Sequence, residues 1–195
     1  MADETLAILV IDDKPERSAV IVEGLKEAGH SAITIISDMR HLLRQVVDAA
    51  PDVIIIDLEN PNRDVLEEMF QVSRSVPRPV AMFVDQSDRS SIEAAIEAGV
   101  SAYVVDGMRK ERIKPIVDMA ISRYRAYSRL KDELDRARQA LEDRKVIERA
   151  KGILMKSKNV SEAEAHALLR TAAMNESRRV AEVAQALVMA AKLLG

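Results

Sequence analysis

The 195-residue sequence has no cysteine and no tryptophan, and only two phenylalanines and three tyrosines. Without cysteine there are no disulfides and no thiolate metal sites, and nothing points to an oxidising compartment. Beyond Tyr127 there is no aromatic side chain, so this part of the chain has no platform on which to stack single-stranded bases. No apolar run reaches membrane-spanning length, and MADETLAILVIDD lacks the basic flank and long apolar core of a signal peptide. A cytoplasmic protein with no membrane contact is expected. Apart from one cluster of aspartates there is no nucleophile–base pair and no phosphate loop, so an enzyme is not expected.

What is present is a chain that is 48% apolar and 31% charged, a composition typical of soluble globular proteins. Its formal net charge of −3 conceals two halves of opposite sign. Residues 1–115 carry 13 Lys and Arg against 21 Asp and Glu, a net of −8, and residues 116–195 carry 16 against 11, a net of +5. An acidic front and a basic back suggest two tasks, the second involving a polyanion.

The front half alternates apolar runs (LAILVID, AITII, DVIIID, PVAMFV, AYVV) with longer stretches of helical period. Runs such as Val53-Ile54-Ile55-Ile56 have no polar face, which predicts strands buried on both sides in a parallel sheet covered by helices. Right-handed crossovers then give a five-stranded, doubly wound α/β sheet in the flavodoxin-like order. Gly29 and Gly99 follow two of the helices, where a left-handed cap favours glycine.

From Ile116 the strand signals stop. Tyr127, Leu130, Leu134, Ala137 and Leu141 keep a 3- and 4-residue spacing, with Ile116 and Ala120 extending the stripe backwards, which reads as a short coiled coil or a bundle helix. Ser161, with Glu164 three residues on, forms a capping box with Val160 placed as a staple, and a last helix is expected to start near Asn175 or Ser177. The expected organisation is a front domain over 5–122, a helical connector over 123–141 and a three-helix bundle over 142–195.

Asp12 and Asp13 follow the first strand and Asp57 ends the third. In a doubly wound sheet these ends meet at the point where the strand order reverses, where ligands bind. Three carboxylates there repel one another unless a hard cation neutralises them, and Mg²⁺ matches their oxygen ligands. An aspartate beside such an ion can accept a phosphoryl group, because that transfer depends mainly on positioning and charge neutralisation.

With Pro61 four residues after Asp57, Pro79 opening the fourth strand, and EAGVSAYVV, the stretch from Leu6 to Tyr124 resembles the receiver domain of bacterial response regulators. The resemblance implies that Asp57 holds the phosphoacceptor position and Asp12 and Asp13 the metal positions. Receivers usually place Thr or Ser at the end of strand four and Lys-Pro after strand five. Here Val84, followed by Asp85, takes the first position and Asp106-Gly107 the second. The groups that would hold phosphoryl oxygens are absent, and two carboxylates are added. At an effective dielectric near 20, each charge reversal at ~4–6 Å is worth roughly 3–4 kcal/mol before screening. A pseudo-receiver is expected, with no cofactor required.

In the back half the apolar positions of RKVIERAKGILM, SEAEAHALLRTAAM and VAEVAQAL line one bundle face. Arg144, Lys145, Arg149, Lys151, Lys156, Lys158, Arg170, Arg178 and Arg179 are expected on the opposite faces as phosphate contacts, helped by backbone amides near Arg178. These words resemble the ANTAR domain, the RNA-binding module of bacterial antiterminators, with His166 where members commonly carry an aromatic. Taken whole, the chain is similar to the nitrate-responsive NasT-type antiterminators. That likeness implies binding of a two-hairpin leader RNA, a homodimer in the active state, and control by a nitrate-sensing partner protein. Three other readings stay open: a phosphorelay-driven RNA-binding regulator, a DNA-binding transcription factor and a dimeric scaffold.

Overall fold

A computed structural model describes residues 6–105 and 109–194. Asp106 and Gly107 lie outside the described residues. The chain divides into two compact units, which meet in sequence at Ser128 and Arg129.

In the first unit five strands, β1 (Ile8–Ile11), β2 (Ile33–Ile36), β3 (Val53–Leu58), β4 (Val80–Val84) and β5 (Ala102–Val105), pair in parallel in the order β2-β1-β3-β4-β5. This is the flavodoxin-like order expected, with the reversal between β1 and β3. Four helices intervene, α1 (Pro15–Glu27), α2 (Leu42–Ala49), α3 (Arg63–Ser75) and α4 (Arg89–Glu97), and α5 (Lys110–Lys158) follows.

The two-residue period of the strands sorts the core into two layers. Leu9, Ile11, Ile54, Ile56, Met82 and Val84 pack with Leu42, Val46, Met69, Phe70 and Ala95 of α2, α3 and α4. Ile8, Val10, Val53, Ile55, Ala81 and Phe83 pack with Ile21 and Leu25 of α1 and Ile113, Val117 and Ala120 of α5. Ile116 packs partly against the same layer. Ile116 and Ala120 therefore belong to the core of the first unit, which corrects their reading as a backward extension of the heptad stripe. Gly29 (φ 95°) and Gly99 (φ 82°) do end helices in the left-handed region.

In the second unit the end of α5 packs with α6 (Glu162–Asn175) and α7 (Val180–Leu194) around Ala150, Leu154, Ala165, Leu169, Ala184 and Val188. The capping box forms: the Ser161 amide donates to Glu164 Oε2 at 2.8 Å and the Glu164 amide to Ser161 Oγ at 3.3 Å. Val160 packs against the core as a staple would.

The last helix starts at Val180, later than expected. Asn175 closes α6 instead, and Ser177 takes a left-handed turn at φ 53°. The Ser177 amide donates to the Met174 carbonyl at 3.2 Å and the Arg178 amide to the Ala173 carbonyl at 2.9 Å, so a Schellman cap forms around a serine. Because the Arg178 amide is used in this cap, it is not free to bind phosphate as the sequence reading supposed.

Tyr127, Leu130, Leu134 and Leu141 are 64%, 66%, 49% and 59% exposed, and Ala137 is exposed too, so the stripe is not covered by the chain itself. Among the described residues no helix is long and apolar enough to cross a membrane.

A left-handed conformation costs an L-residue with a Cβ roughly 1–2 kcal/mol; glycine avoids that cost but gives back part of the gain through its greater freedom when unfolded. Ser177→Gly is therefore expected to stabilise the second unit by about 1 kcal/mol, read as a higher denaturation midpoint at unchanged m-value.

Candidate functional site

Strand parity determines which carboxylates can meet. Asp57 lies two residues beyond Ile55 and Asp12 two beyond Val10, so both take the α1/α5 side of the sheet at its carboxyl edge. Asp85 follows Phe83 by the same count. Asp57 is fully buried and Asp12 is 1% exposed, whereas Asp13 faces solvent.

The cation these carboxylates require is supplied by the chain itself, by a residue the sequence reading missed. Arg17 stands in the first turn of α1, which Pro15 opens. Its Nε donates to Asp57 Oδ2 and its Nη2 to Asp57 Oδ1, both at 2.7 Å. Its Nη1 donates to Asp85 Oδ2 and its Nη2 also to Asp85 Oδ1, both at 3.0 Å. Both edges of the planar fork are therefore bidentate, the geometry in which guanidinium binds carboxylate most strongly. The hydrogen bonds it donates to Asp57, then those to Asp85, hold the guanidinium well above its already high ordinary pKa. Its charge is thus permanent.

Asp85, read from sequence as a repulsive addition, is one half of this double fork. Val84, where receivers carry a hydroxyl, is fully buried in the α2–α4 layer. Lys14 at the start of α1 pairs with Glu59 just beyond β3.

Asp12 is held differently. Its Oδ1 accepts the Lys14 amide at 2.8 Å, and its Oδ2 is buried without a hydrogen-bond partner. Burial raises its pKa, the Lys14 amide opposes that rise, and the charge of Asp57 adds to it. One partnerless oxygen is a single ligand. Among the described residues no three His, Cys, Asp or Glu side chains converge as a metal site. Receivers bind Mg²⁺ at this edge, but the expected triple of Asp12, Asp13 and Asp57 does not assemble, because Asp13 faces water and both oxygens of Asp57 are held by Arg17. The residues as arranged do not fit the ion.

In the second unit the nine basic residues read from sequence fall into two groups. Arg144, Arg149, Lys156, Lys158 and Arg170 are exposed and, among the described residues, make no ion pair. Lys145 pairs with Glu142 at 2.7 Å, Arg178 with Glu176 at 3.0 Å and Arg179 with Glu182 at 2.8 Å. Lys151 is not on an open face: it is 8% exposed, and its Nζ lies 2.8 Å from Glu148 and 2.6 Å from Glu162. It follows Ala150 and precedes Leu154 in helical phase, so it borders the core, and the start of α6 covers it. These ion pairs raise the Lys151 pKa and lower that of Glu162. Lys151 is a brace between α5 and α6. His166 is exposed and lines a shallow groove with Lys151 and Glu162.

Removing one member of a buried ion pair leaves an uncompensated charge, at a cost of ~3–5 kcal/mol. Arg17→Ala is expected to lose about that much in urea denaturation, and Asp57→Asn in the same chain to recover most of it. Arg17→Lys is expected to recover less, since an ammonium cannot span two carboxylates with paired parallel hydrogen bonds.

The response regulator receiver domain family matches residues 8–118, and the ANTAR domain family matches residues 135–188. The chain is similar to the transcriptional regulatory protein PdtaR of Mycobacterium tuberculosis, 28% identical over 179 residues that cover 90% of this chain and 87% of that protein. The similarity to TcrA, another transcriptional regulatory protein of that organism, is 29% over 124 residues, covering 63% and 46%. A response regulator from Thermotoga maritima superimposes with a TM-score of 0.52 at 17% identity, over 60% of this chain and 98% of that one. The signal receiver domain of a modulated diguanylate cyclase from Desulfovibrio desulfuricans G20 does so at 0.54 and 15%, over 64% and 99%, and both likenesses speak to the fold. With a receiver domain filling most of its first unit and an ANTAR domain spanning most of its second, the chain belongs to the response regulators.

Proposed function

We propose that this response regulator is a cytoplasmic antitermination factor. Its ANTAR helices bind a two-hairpin motif in nascent leader RNA, and its receiver takes its input from a sensor protein rather than from a phosphoryl group. By its likeness to the NasT-type regulators, the genes would be those of nitrate and nitrite assimilation and the sensor a nitrate-binding protein. The observation that carries the output half is the match to the ANTAR family together with the exposed, unpaired cations Arg144, Arg149, Lys156, Lys158 and Arg170. Arg149 and Lys156 lie two helical turns apart on the side of α5 away from Ala150 and Leu154, the placement that phosphate contacts need. The input half is supported by Val84 at the hydroxyl position and by Asp57 with both oxygens paired to Arg17.

Each phosphate contact contributes roughly 0.7–0.9 to the slope of log affinity against log salt concentration. Replacing Arg149 and Lys156 together by alanine is expected to lower that slope by about 1.4–1.8 in filter binding to a two-hairpin leader RNA. Equal affinity for the hairpin RNA and a scrambled sequence would remove the output reading, and a preference for duplex DNA would replace it with the transcription-factor reading. The sensor is expected to weaken RNA binding without any phosphoryl donor.

The exposed stripe of Tyr127, Leu130, Leu134 and Leu141 supports a homodimer as the active form, since a second copy would cover the apolar side chains that the chain leaves in water. Sedimentation of the RNA complex is expected to give two protein copies, and Leu130→Asp with Leu134→Asp to give one.

A further inference from the structure

We propose that Arg17 is a chain-borne counter-ion that stands in for the divalent cation of a receiver pocket, closing that pocket to Mg²⁺ and tying α1 to the ends of β3 and β4. The inference deepens the input half of the proposed function and rests on its reading of this domain as a receiver without phosphoryl chemistry. It does not depend on RNA recognition.

Three observations carry it. First, four of the five N–H groups of the guanidinium are spent on two carboxylates, with Asp57 taking the two shortest contacts at 2.7 Å. A cation seeking Asp57 would have to share its oxygens with a permanent positive charge in contact with both. Second, Arg17 and Asp85 complete each other. Had the chain carried Asp85 alone, it would have added a negative charge beside a buried carboxylate. Had it carried Arg17 alone, one edge of the fork would lack a partner. Third, the pocket is hard for solvent to screen. Asp57 is fully buried and the Arg17 side chain is only 23% exposed, so the pairs act in a medium of low dielectric and retain their strength.

A free cation associates and dissociates, and an aspartate beside it is periodically open to attack chemistry. A tethered arginine is present at constant effective concentration and never leaves the chain. It also joins three segments, at positions 17, 57 and 85, that a metal would join only while bound. The pocket is thereby converted from a site that reports occupancy into a fixed strut.

The test is MnCl₂ and MgCl₂ titration of the full-length, isotopically labelled protein by NMR, observing amides next to Asp12, Asp57 and Asp85. The wild type is expected to show neither saturable Mg²⁺ shifts nor Mn²⁺ broadening centred on Asp57. Arg17→Gln is expected to gain both, and Arg17→Gln with Asp57→Asn to lose them again. Saturable Mg²⁺ binding by the wild type that Asp57→Asn abolishes would overturn the proposal, and the wild-type arm decides this even where the Arg17 variant folds poorly. Asp85→Asn supplies a second arm: Arg17 should stay on Asp57, so cation exclusion should persist, and cation binding by Asp85→Asn at the level of Arg17→Gln would overturn the claim that the Arg17–Asp57 pairing itself closes the pocket. The input reading fails separately. A wild type that excludes Mg²⁺ while the sensor has no effect on RNA binding removes the partner input and leaves the strut in place.

Discussion

The pairing of one guanidinium with two buried or half-buried carboxylates is the constraint on which the front domain turns. A parallel sheet places the ends of β1, β3 and β4 side by side, and strand parity turns Asp12, Asp57 and Asp85, two residues beyond Phe83, toward the same helical layer. Such an edge concentrates negative charge where water is scarce. It must be neutralised by a bound ion, by protonation or by a cation of the chain itself. Here the third solution dominates at Asp57, and burial raises the pKa of Asp12 beside it.

This neutralisation changes what the domain can transmit. In a phosphate-responsive receiver, the hydroxyl after strand four and the lysine after strand five move when a phosphoryl group arrives. At the first of these positions the side chain is Val84, packed into the opposite core layer, and the polar residue beside it already has a partner. Arg17 is committed to Asp57 and Asp85 and Lys14 to Glu59, so the described cations at this edge already have carboxylate partners. Under the proposed partner-protein input, information enters across a surface and leaves through the helices that follow.

The second unit shows the same economy in its charges. Lys151 and Glu162 join two helices, and Arg178 and Arg179 are drawn to Glu176 and Glu182, so its basic residues divide into structural and unpaired ones. That division decides which positive charges can meet a polyanion. It cannot be read from net charge, because a paired lysine and a free one contribute equally to a sum.

The sequence by itself determined the elements and their order. Val53 to Ile56 have no polar face and so must be covered on both sides; Gly29, Gly99 and the Ser161–Glu164 box mark helix ends through local backbone chemistry. It also placed Asp12 and Asp57 at strand ends, since parity and strand length are local. Only the tertiary structure decided that Arg17, 40 residues from Asp57 and 68 from Asp85, is the cation between them, and that Lys151 is covered by the start of α6. The physical reason is common to both: each depends on which groups compete for the same hydrogen-bond partner once the chain is packed. Periodicity records which face of an element is apolar, but it holds no record of what a polar side chain meets across the fold.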